Sequence, residues 1–210
     1  MSLGAVVLCG GRSQRMGRPK AWLPFGPEVL LQRVVRILGT IVDSVVVVAA
    51  PGQDVPPLPD SVLLTTDPVE ARGPLQGLAA GMSRLPSSVE LAYATATDVP
   101  FLESAWIGRL VELIGDHDLA LPWVGGYHHP LAALYRPAAA LPAIESLLRD
   151  DRLRPVFLVD KVGTRVVVED ELRGVDPGFR TLRNLNTPDE YQVALREAGF
   201  SPDAEPLRGA

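Results

Sequence analysis

Short apolar runs alternate with longer stretches of helical spacing along the first half of the chain. One of these runs is a row of four valines, Val45 to Val48, which is typical of a strand that is covered on both faces. Between the runs, apolar residues recur every three or four positions, which predicts helices. The predicted strands cover 4–9, 44–50, 62–65 and 91–97, and the predicted helices cover 28–38, 73–84 and 102–114. This alternation predicts a three-layer α/β/α domain with a mostly parallel sheet.

The second half of the chain continues the pattern less regularly. Strands are predicted at 119–123, 131–135 and 164–169, and helices at 137–149 and 188–198. Thr187 and Pro188 suit the start of the last helix, with Thr187 as the cap and Pro188 in the first helical position. We therefore expect one domain over residues 1–200, with a nucleotide-binding half at about 1–115, an acceptor-binding half at about 116–200, and a loose tail at 201–210.

Composition and charge exclude several classes of function. The 210 residues are 47% hydrophobic and 21% charged, with a formal net charge of −5. A general nucleic-acid binder needs a broad basic surface, so neither nucleic acid nor a membrane is expected as a partner. Cys9 is the only cysteine, so no intrachain disulfide can form. We therefore expect the protein to work in a reducing compartment. Because the sequence shows no secretory signal, we expect that compartment to be the cytoplasm.

The residues that could bind a ligand or take part in catalysis lie at the ends of the predicted strands. The first strand opens into Gly10 and Gly11 and then a loop that contains Arg15 and Lys20, with no acid between residues 12 and 20. Glycines let backbone N–H groups approach a phosphate, and the two cations can neutralise it. Later strands end at Asp67 and Asp98, and an aspartate there can bind Mg²⁺ together with phosphate oxygens. These features predict a nucleoside triphosphate site, although neither a P-loop nor a dinucleotide-binding pattern occurs.

Several stretches resemble the nucleotidyltransferases with a Rossmann-like core, and more narrowly the molybdenum cofactor guanylyltransferases. The resemblance rests on LCGGRSQRMGRPK, DPVEARGPLQGL, ATDVPFL, HHPLAALYR and NLNTPDEY, which occur in the family's order from Gly4 to about Tyr191. The first stretch alone indicates the superfamily, whereas GPLQGL and NLNTPDEY favour the molybdopterin branch. The implied fold is that of a three-layer α/β/α nucleotidyltransferase. The implied reaction transfers GMP from GTP to molybdopterin and releases pyrophosphate.

The resemblance also implies a role for each matching residue. The catalytic residues would be Arg15, Lys20 and Asp98, with Asp98 as the Mg²⁺ ligand. The implied nucleotide-binding residues are Leu8, Cys9, Gly10, Gly11, Lys20, Asp67, Gly73, Pro74, Leu75, Gly77 and Asp98. Leu8 to Gly10 would meet the guanine base. Asn184 and Asn186 would lie on the pterin side, and Arg154 is a further candidate for the acceptor, along with Arg152 and Arg183. Proteins of cofactor biosynthesis and molybdoenzymes are open as further partners.

The expected mechanism follows from charge. The terminal phosphate of molybdopterin would attack the α-phosphorus of GTP in line, and because it is already anionic no general base is needed. Mg²⁺ on Asp98, with Lys20 and Arg15, would offset the charge on the α-phosphoryl group and the pyrophosphate. Positioning two anions against each other is most of the task.

Some residues depart from the family pattern or have simpler interpretations. Val48 stands near the place where the family can carry an asparagine that contacts the nucleotide, and Cys9 replaces a usual alanine. Cys9 is expected to be a small buried residue, not a nucleophile. His128 and His129 have no cysteine partner nearby, so a structural or substrate-contact role is favoured over a metal site.

Rival functions remain open. The nearest is a CTP-dependent cytidylyltransferase of the same fold, followed by an enzyme that acts on a sugar phosphate or another small phosphate. A non-enzymatic alternative is a GTP-binding module for cofactor delivery, which retention of Lys20 and Asp98 disfavours. The glycine-rich first loop and GPLQGL favour guanine over cytosine.

Overall fold

Strands and helices alternate as the hydrophobic pattern predicts. The computed structural model describes residues 2–10, 16, 19–69 and 72–201. Within these residues the strands are β1 (Leu3–Leu8), β2 (Pro24–Phe25), β3 (Glu28–Val29), β4 (Ser44–Ala49), β5 (Val62–Thr66), β6 (Leu91–Ala96), β7 (Leu119–Val124), β8 (Tyr127–His128), β9 (Ala133–Tyr135) and β10 (Thr164–Val168). The α-helices there are α1 (Leu30–Leu38), α2 (Pro74–Arg84), α3 (Ser104–Ile114), α4 (Pro137–Arg149), α5 (Glu169–Leu172) and α6 (Pro188–Glu197). Short 3₁₀ turns lie at Lys20–Trp22, Pro130–Ala132, Pro155–Asp160 and Arg180–Leu182.

One large sheet runs through both halves of the described chain. Its strand order is β10-β7-β9-β6-β1-β4-β5, with β8 paired to β7, while β2 and β3 form a separate small pair. The strand β1 pairs in parallel with β4 on one side and with β6 on the other. The short strand β9 runs antiparallel to both β6 and β7, whereas β10 is parallel to β7. The predicted α/β fold with a mostly parallel sheet is therefore confirmed, and β9 is the exception within it.

Helices cover both faces of the central strands, as the row of valines predicts. Val45 and Val47 pack into one core cluster with α1 and α3, whereas Val46 and Val48 pack into another with α2 and α4. Side chains alternate across a strand, so a continuous apolar run fills two cores at once. On the second face α2 lies close to the sheet, because a Cβ added at Gly81 would lie 2.3 Å from Val6 Cγ1. The small residues predicted on this helix thus serve its packing.

A third core cluster joins the last helix to Met16 and to β2. Met16, Phe25 and Phe101 pack here with Leu185 and with Leu195 of α6. Its start is capped as predicted: Glu190 N–H donates to Thr187 Oγ1 at 3.2 Å, and Thr187 N–H donates to the Glu190 carboxylate at 3.0 Å. This reciprocal pair satisfies N–H groups that a helix start would leave unpaired. The segment before α6 is therefore placed firmly next to residues from the start of the chain.

Several element boundaries differ from the sequence prediction, and two of these differences have a clear cause. The helix predicted from residue 28 begins at Leu30, because Glu28 and Val29 pair with Phe25 and Pro24 instead. The strand predicted at 131–135 is a 3₁₀ turn followed by β9, since Pro130 begins that turn and delays the extended conformation. In the described part of the chain no helix could span a membrane. The division into two halves and the loose tail stay predictions, since residues 202–210 lie outside the described chain.

Candidate active site

The carboxyl ends of four parallel strands meet at one edge of the sheet. From β1 the chain passes through α1 to β4 on one side, and from β5 through α2 to β6 on the other. These two helices lie on opposite faces, so the strand order reverses between β1 and β6. A crevice forms outside the strand ends at such a reversal, and ligands of open α/β sheets bind there. Gly10 and Asp98 follow the two strands that border this crevice.

Lys20 and Asp98 form the centre of the crevice. Lys20 Nζ donates to Asp98 Oδ2 at 2.6 Å, although 78 positions separate the two residues along the chain. The Asp98 side chain is only 11% exposed and that of Lys20 only 20%, so water screens the pair weakly. The two residues that the sequence analysis put forward as phosphate ligand and metal ligand are therefore in direct contact.

The Asn184-Leu185-Asn186 segment closes around this pair. Lys20 Nζ also donates to Asn186 Oδ1 at 2.9 Å, and Asn184 Nδ2 lies 3.4 Å from Asp98 Oδ1. Leu185 N–H donates to the Asp98 carbonyl at 2.9 Å. Both asparagines were predicted on the acceptor side, and the structure brings them into contact with Lys20 and Asp98. One polar cluster therefore unites residues from three distant parts of the chain.

The turn after β1 is held by hydrogen bonds from both neighbouring strands. Cys9 N–H and Gly10 N–H donate to the Val48 carbonyl at 2.8 and 3.2 Å, while Thr97 N–H donates to the Leu8 carbonyl at 3.1 Å. A Cβ at Gly10 would lie 3.1 Å from Ala50 N, so a small residue is needed there. Val48 itself is 2% exposed and packs toward α2. It contributes a carbonyl to the turn and no side chain.

Gln53 is a residue of this turn that the sequence analysis missed. Its Oε1 accepts a hydrogen bond from Ala50 N–H at 2.9 Å, and its Nε2 donates to the Cys9 carbonyl at 3.2 Å. The same Nε2 lies 3.4 Å from Cys9 Sγ. Gln53 thereby links the ends of β1 and β4 through one amide. It lies in a proline-rich loop, and no local pattern marks a glutamine whose partner is a carbonyl 44 positions away.

Cys9 is a buried thiol with no sign of nucleophilic activation. Burial raises the pKa of the Cys9 thiol above its ordinary value, and hydrogen bonds with Thr97 and Gln53 oppose this rise only in part. A thiol activated for attack would have a lowered pKa instead. These observations agree with the expectation that Cys9 is a packing residue.

Asp67 after β5 and the residues at the start of α2 lie at the same carboxyl edge of the sheet. Asp67 N–H donates to the Ala49 carbonyl at 2.9 Å, and Asp67 Oδ1 accepts from Val69 N–H at 3.1 Å. Gly73 has φ +77°, a conformation that favours glycine, and Pro74 then occupies the first position of α2. The Leu75 side chain is fully buried, and Gly77 packs on Leu8, so these two could meet a nucleotide only through backbone atoms.

Comparisons with known proteins agree with this geometry. Residues 5–164 match the model of the MobA-like NTP transferase domain. The chain is 35% identical to a probable molybdenum cofactor guanylyltransferase of Methanosarcina acetivorans, over 92% of this chain and 90% of that protein. It is 37% identical to another of Mycobacterium tuberculosis H37Rv, over 88% of this chain and 89% of the other. The chain belongs to the MobA-like NTP transferase family.

A solved structure shows the same fold at lower sequence identity. Molybdopterin-guanine dinucleotide biosynthesis protein A from Archaeoglobus fulgidus superimposes with a TM-score of 0.75, covering 93% of this chain and 98% of that one at 19% identity. At this identity the likeness shows the fold alone. It confirms the predicted nucleotidyltransferase fold.

Two site residues predicted for this transferase cannot be placed. Arg15 and Gly11 lie outside the described residues, as does most of the basic loop between Gly10 and Pro19. Met16 from that loop is described and is buried in the cluster under α6. The roles of Arg15 and Gly11 therefore stay predictions.

The three late arginines of this transferase differ in how they are used. The guanidinium of Arg152 lies 4.2 Å from the centre of the Phe157 ring, and Arg183 forms an ion pair with Glu197. Arg154 is exposed, and no carboxylate within the described part of the chain pairs with it. Of the three, Arg154 is thus the best placed to bind an anionic or polar ligand.

The residues of this transferase fit a magnesium ion that is held jointly with substrate. No group of three or more His, Cys, Asp or Glu side chains in the described residues could hold a metal ion alone. Mg²⁺ commonly uses one or two carboxylates together with phosphates and waters, and Asp98 supplies one at the crevice.

Proposed function

We propose that this protein transfers GMP from GTP to molybdopterin, with release of pyrophosphate. The observation that carries the proposal is the cluster of Lys20, Asp98, Asn184 and Asn186 at the strand reversal of a MobA-like NTP transferase. The cluster joins the predicted nucleotide-binding half to the predicted acceptor-binding half at one point. A group-transfer enzyme needs such a point, because both substrates must meet there.

The reaction is a displacement at the α-phosphorus of GTP. An oxygen of the terminal phosphate of molybdopterin forms the new bond to this phosphorus, and the bond between the α-phosphorus and the bridging oxygen to the β-phosphate breaks. Pyrophosphate leaves with the electron pair. The attacking phosphate is already an anion at neutral pH, so no side chain has to remove a proton. This agrees with a crevice whose central pair is a cation and a carboxylate.

Each described residue of the cluster has a distinct task in this scheme. Lys20 provides a compact positive charge for the phosphates of GTP, and its ammonium group exchanges Asp98 for a phosphate oxygen when GTP binds. Asn186 holds Lys20 during this exchange, since its Oδ1 accepts from the same Nζ. Asp98 would hold Mg²⁺, which supplies positive charge opposite the α-phosphoryl group and the departing pyrophosphate. Leu185 N–H keeps the Asp98 backbone in place.

The turn from Leu8 to Gly10 would receive the base. Its backbone is fixed by Val48, Thr97 and Gln53, so that its remaining polar groups are already oriented before a ligand arrives. Such preorganisation reduces the entropy cost of binding. Guanine is the base that the family relatives and the GPLQGL stretch favour.

The test is a transfer assay with purified protein, Mg²⁺, molybdopterin and either α-labelled GTP or α-labelled CTP. We expect label in the dinucleotide product only with GTP, and no product when Mg²⁺ is removed by chelation. Consumption of CTP in place of GTP would identify a cytidylyltransferase. Binding of GTP without turnover, in the presence of an acceptor shown to be intact, would favour a delivery module.

A further inference from the structure

The connection between α5 and α6 lies along the segment that links β6 to α3. We call residues 180–186 of this connection the strap. Near one end of the strap, Thr181 Oγ1 accepts a hydrogen bond from Glu103 N–H at 3.2 Å. Near the other end, Leu185 N–H donates to the Asp98 carbonyl at 2.9 Å. The partner's number falls as the strap's number rises, so the two segments run antiparallel, and the strap leads from the start of α3 back to Asp98.

The far end of the strap carries both asparagines of the polar cluster. Asn184 Nδ2 lies 3.4 Å from Asp98 Oδ1, and Asn186 Oδ1 accepts from Lys20 Nζ at 2.9 Å. Residues 183–186 lie in neither a helix nor a strand, so no ladder of backbone hydrogen bonds fixes them. The position of the two amides therefore depends on how the ends of the strap are held.

Two carboxylates hold the backbone at the two ends of the strap. Glu190 of α6 accepts from Asn186 N–H at 2.7 Å at one end. At the other end, Asp176 Oδ1 accepts from Arg180 N–H at 3.0 Å, and Asp176 Oδ2 accepts from Thr181 N–H at 2.8 Å. A hydrogen bond to a carboxylate is stronger than one between neutral groups, so both ends are firmly placed.

The carboxylate of Asp176 serves the backbone of the strap. Asp176 is only 3% exposed and Thr181 only 1%, so water cannot readily replace the contact between them. In the described part of the chain, no lysine or arginine side chain forms an ion pair with Asp176. A shortened side chain at this position would leave the N–H groups of Arg180 and Thr181 without this partner, and a buried N–H group without a partner is unfavourable.

The residue directly before the strap has a backbone conformation that needs support. Phe179 has φ +50° and ψ +38°, in the left-handed region that residues other than glycine rarely adopt. Phe179 N–H donates to the Asp176 carbonyl at 3.0 Å, and the guanidinium of Arg173 lies 5.1 Å from the centre of the Phe179 ring. Such a conformation persists where the surrounding contacts determine it. Asp176 thus supports the turn from which the strap starts.

We propose that Asp176 is a positioning residue for the transfer reaction. Its carboxylate fixes the start of the strap, and the strap then places the two asparagine amides against Asp98 and Lys20. The proposal rests on the proposed function, which makes Lys20 and Asp98 the groups that act on the substrates. The two hydrogen bonds of the Asp176 carboxylate go to the strap alone, so Asp176 acts through it. A displacement of about 1 Å in a catalytic group is enough to slow a reaction.

Asparagine-selective ¹⁵N labelling tests the placement directly, because Asn184 and Asn186 are the only asparagines in the chain. Every side-chain amide signal in the NMR spectrum of the labelled protein therefore comes from the strap. We expect Asp176→Ala to move the signals of both side-chain amides toward their positions in the unfolded protein, while circular dichroism shows that the variant is folded. Signals that stay at the positions of the parent protein would overturn the proposal.

A matched control separates placement from a general loss of stability. Asp118 Oδ2 accepts from Gly163 N–H at 3.0 Å, at the amino ends of β7 and β10 and thus at the opposite edge of the sheet. Asp118→Ala also takes a carboxylate away from a backbone N–H, but it should leave the asparagine signals and the rate of GMP transfer unchanged. Asp176→Asn keeps one acceptor oxygen and should shift the signals by less than Asp176→Ala. If Asp176→Ala does not fold, Asp176→Asn decides the question, and signals like those of the parent would contradict the proposal.

Kinetics tests whether this placement matters for the reaction. We expect Asp176→Ala to lower kcat/KM for GTP about ten-fold. In a protein that already carries Asn184→Ala and Asn186→Ala, the same substitution should lower it much less, because both changes act through the same contacts. A further ten-fold loss in that background would show that Asp176 acts by another route and would overturn the proposal.

The NMR test is independent of the proposed function, since the asparagine signals are recorded without substrate. Shifted signals in Asp176→Ala, together with a parent protein that transfers no GMP, would remove the proposed function and leave the placement of the strap by Asp176 intact. Transfer by the parent protein, together with unchanged signals and unchanged kinetics in Asp176→Ala, would remove the positioning role alone.

Discussion

The two sides of the carboxyl edge differ in how far their polar groups are already satisfied. At the ends of β1 and β6, Lys20 is matched by Asp98 and Asn186, and Gln53 by the Cys9 carbonyl, whereas within β6 the buried hydroxyls of Tyr93 and Thr95 have no hydrogen-bond partner. Around β7 and β8, the buried nitrogen of His128 has no partner, and Arg154 has no carboxylate partner in the described residues.

This difference indicates two modes of ligand binding. A nucleotide must replace hydrogen bonds that the protein already makes, and rigidly placed groups give it specificity. Its phosphates also have to compete with Asp98 for Lys20. A ligand on the side of β7 and β8 would have no such contacts to displace at Arg154, which is exposed and has no carboxylate partner in the described residues. The variants below test this contrast, beginning with the largest expected effect.

Replacement of Asp98 by alanine should have the largest effect on transfer. Asp98 is the proposed metal ligand and the anchor of Lys20, so both the metal and the lysine lose their placement. We expect the rate of GMP transfer to fall roughly 10²- to 10³-fold, the size typical for loss of one group that stabilises a transition state. Asp116→Ala, at an exposed acid after α3, is the control. Parent-like turnover of Asp98→Ala in the labelled GTP assay would remove Asp98 from the active site.

Replacement of Asn186 by leucine tests whether this residue serves nucleotide binding or acceptor binding. Because Asn186 Oδ1 accepts from Lys20 Nζ, we expect kcat/KM for GTP to fall about ten-fold, along with the activity toward molybdopterin. Asn186→Gln keeps an amide oxygen and should recover part of the loss. Steady-state kinetics with each substrate varied in turn provides the measurement. A rise in the KM for molybdopterin alone would instead make Asn186 an acceptor contact, as the resemblance of NLNTPDEY to the family pattern implies.

Replacement of Gln53 should weaken nucleotide binding. In Gln53→Leu the Cys9 carbonyl and the Ala50 N–H both lose their partner, and the turn that would receive the base becomes less fixed. We expect the KM for GTP to rise about three- to ten-fold while kcat changes little. Gln32→Leu is the matched control, since Gln32 Nε2 donates to the Pro57 carbonyl on the far side of α1. An unchanged KM with Gln53→Leu would show that the turn holds its shape without the amide.

Local patterns account for most of the fold and for part of the site. The valine row of β4, the close approach of α2 and the cap at Thr187 each follow from residues near one another in sequence, because alternation, small size and capping are local properties. Asp98 was found because it follows a strand end, and Lys20 because it lies in the basic loop after the first strand. The reversed direction of β9 was not foreseen, since strand direction depends on which partners a strand finds.

The missed features of the site all depend on long-range contacts. Asn186 meets Lys20 across 166 positions, and Gln53 meets Cys9 across 44. The unpaired state of His128 is set by the hairpin of β7 and β8, in which Trp123 and His128 stand opposite each other. A sequence pattern gives the residue types, but which partner remains unsatisfied is a property of the packed chain. The resemblance of NLNTPDEY to the family pattern placed Asn186 with the acceptor, whereas the fold also places it against Lys20.

Replacement of Cys9 should have the smallest effect on transfer. Alkylation of its thiol reports whether the turn after β1 is accessible to solvent in the free protein. Burial raises its pKa above the ordinary cysteine value, so the reactive thiolate is scarce at pH 8 and increases only as the pH rises further. We expect iodoacetamide to modify the folded protein slowly at pH 8 and the guanidinium-unfolded protein rapidly at the same pH. Cys9→Ala should keep transfer within about two-fold, since a packing residue of similar size is tolerated. Fast modification of the folded protein, slowed by GTP, would show instead that the turn opens in the free enzyme and that the nucleotide side is less preformed than its hydrogen bonds indicate.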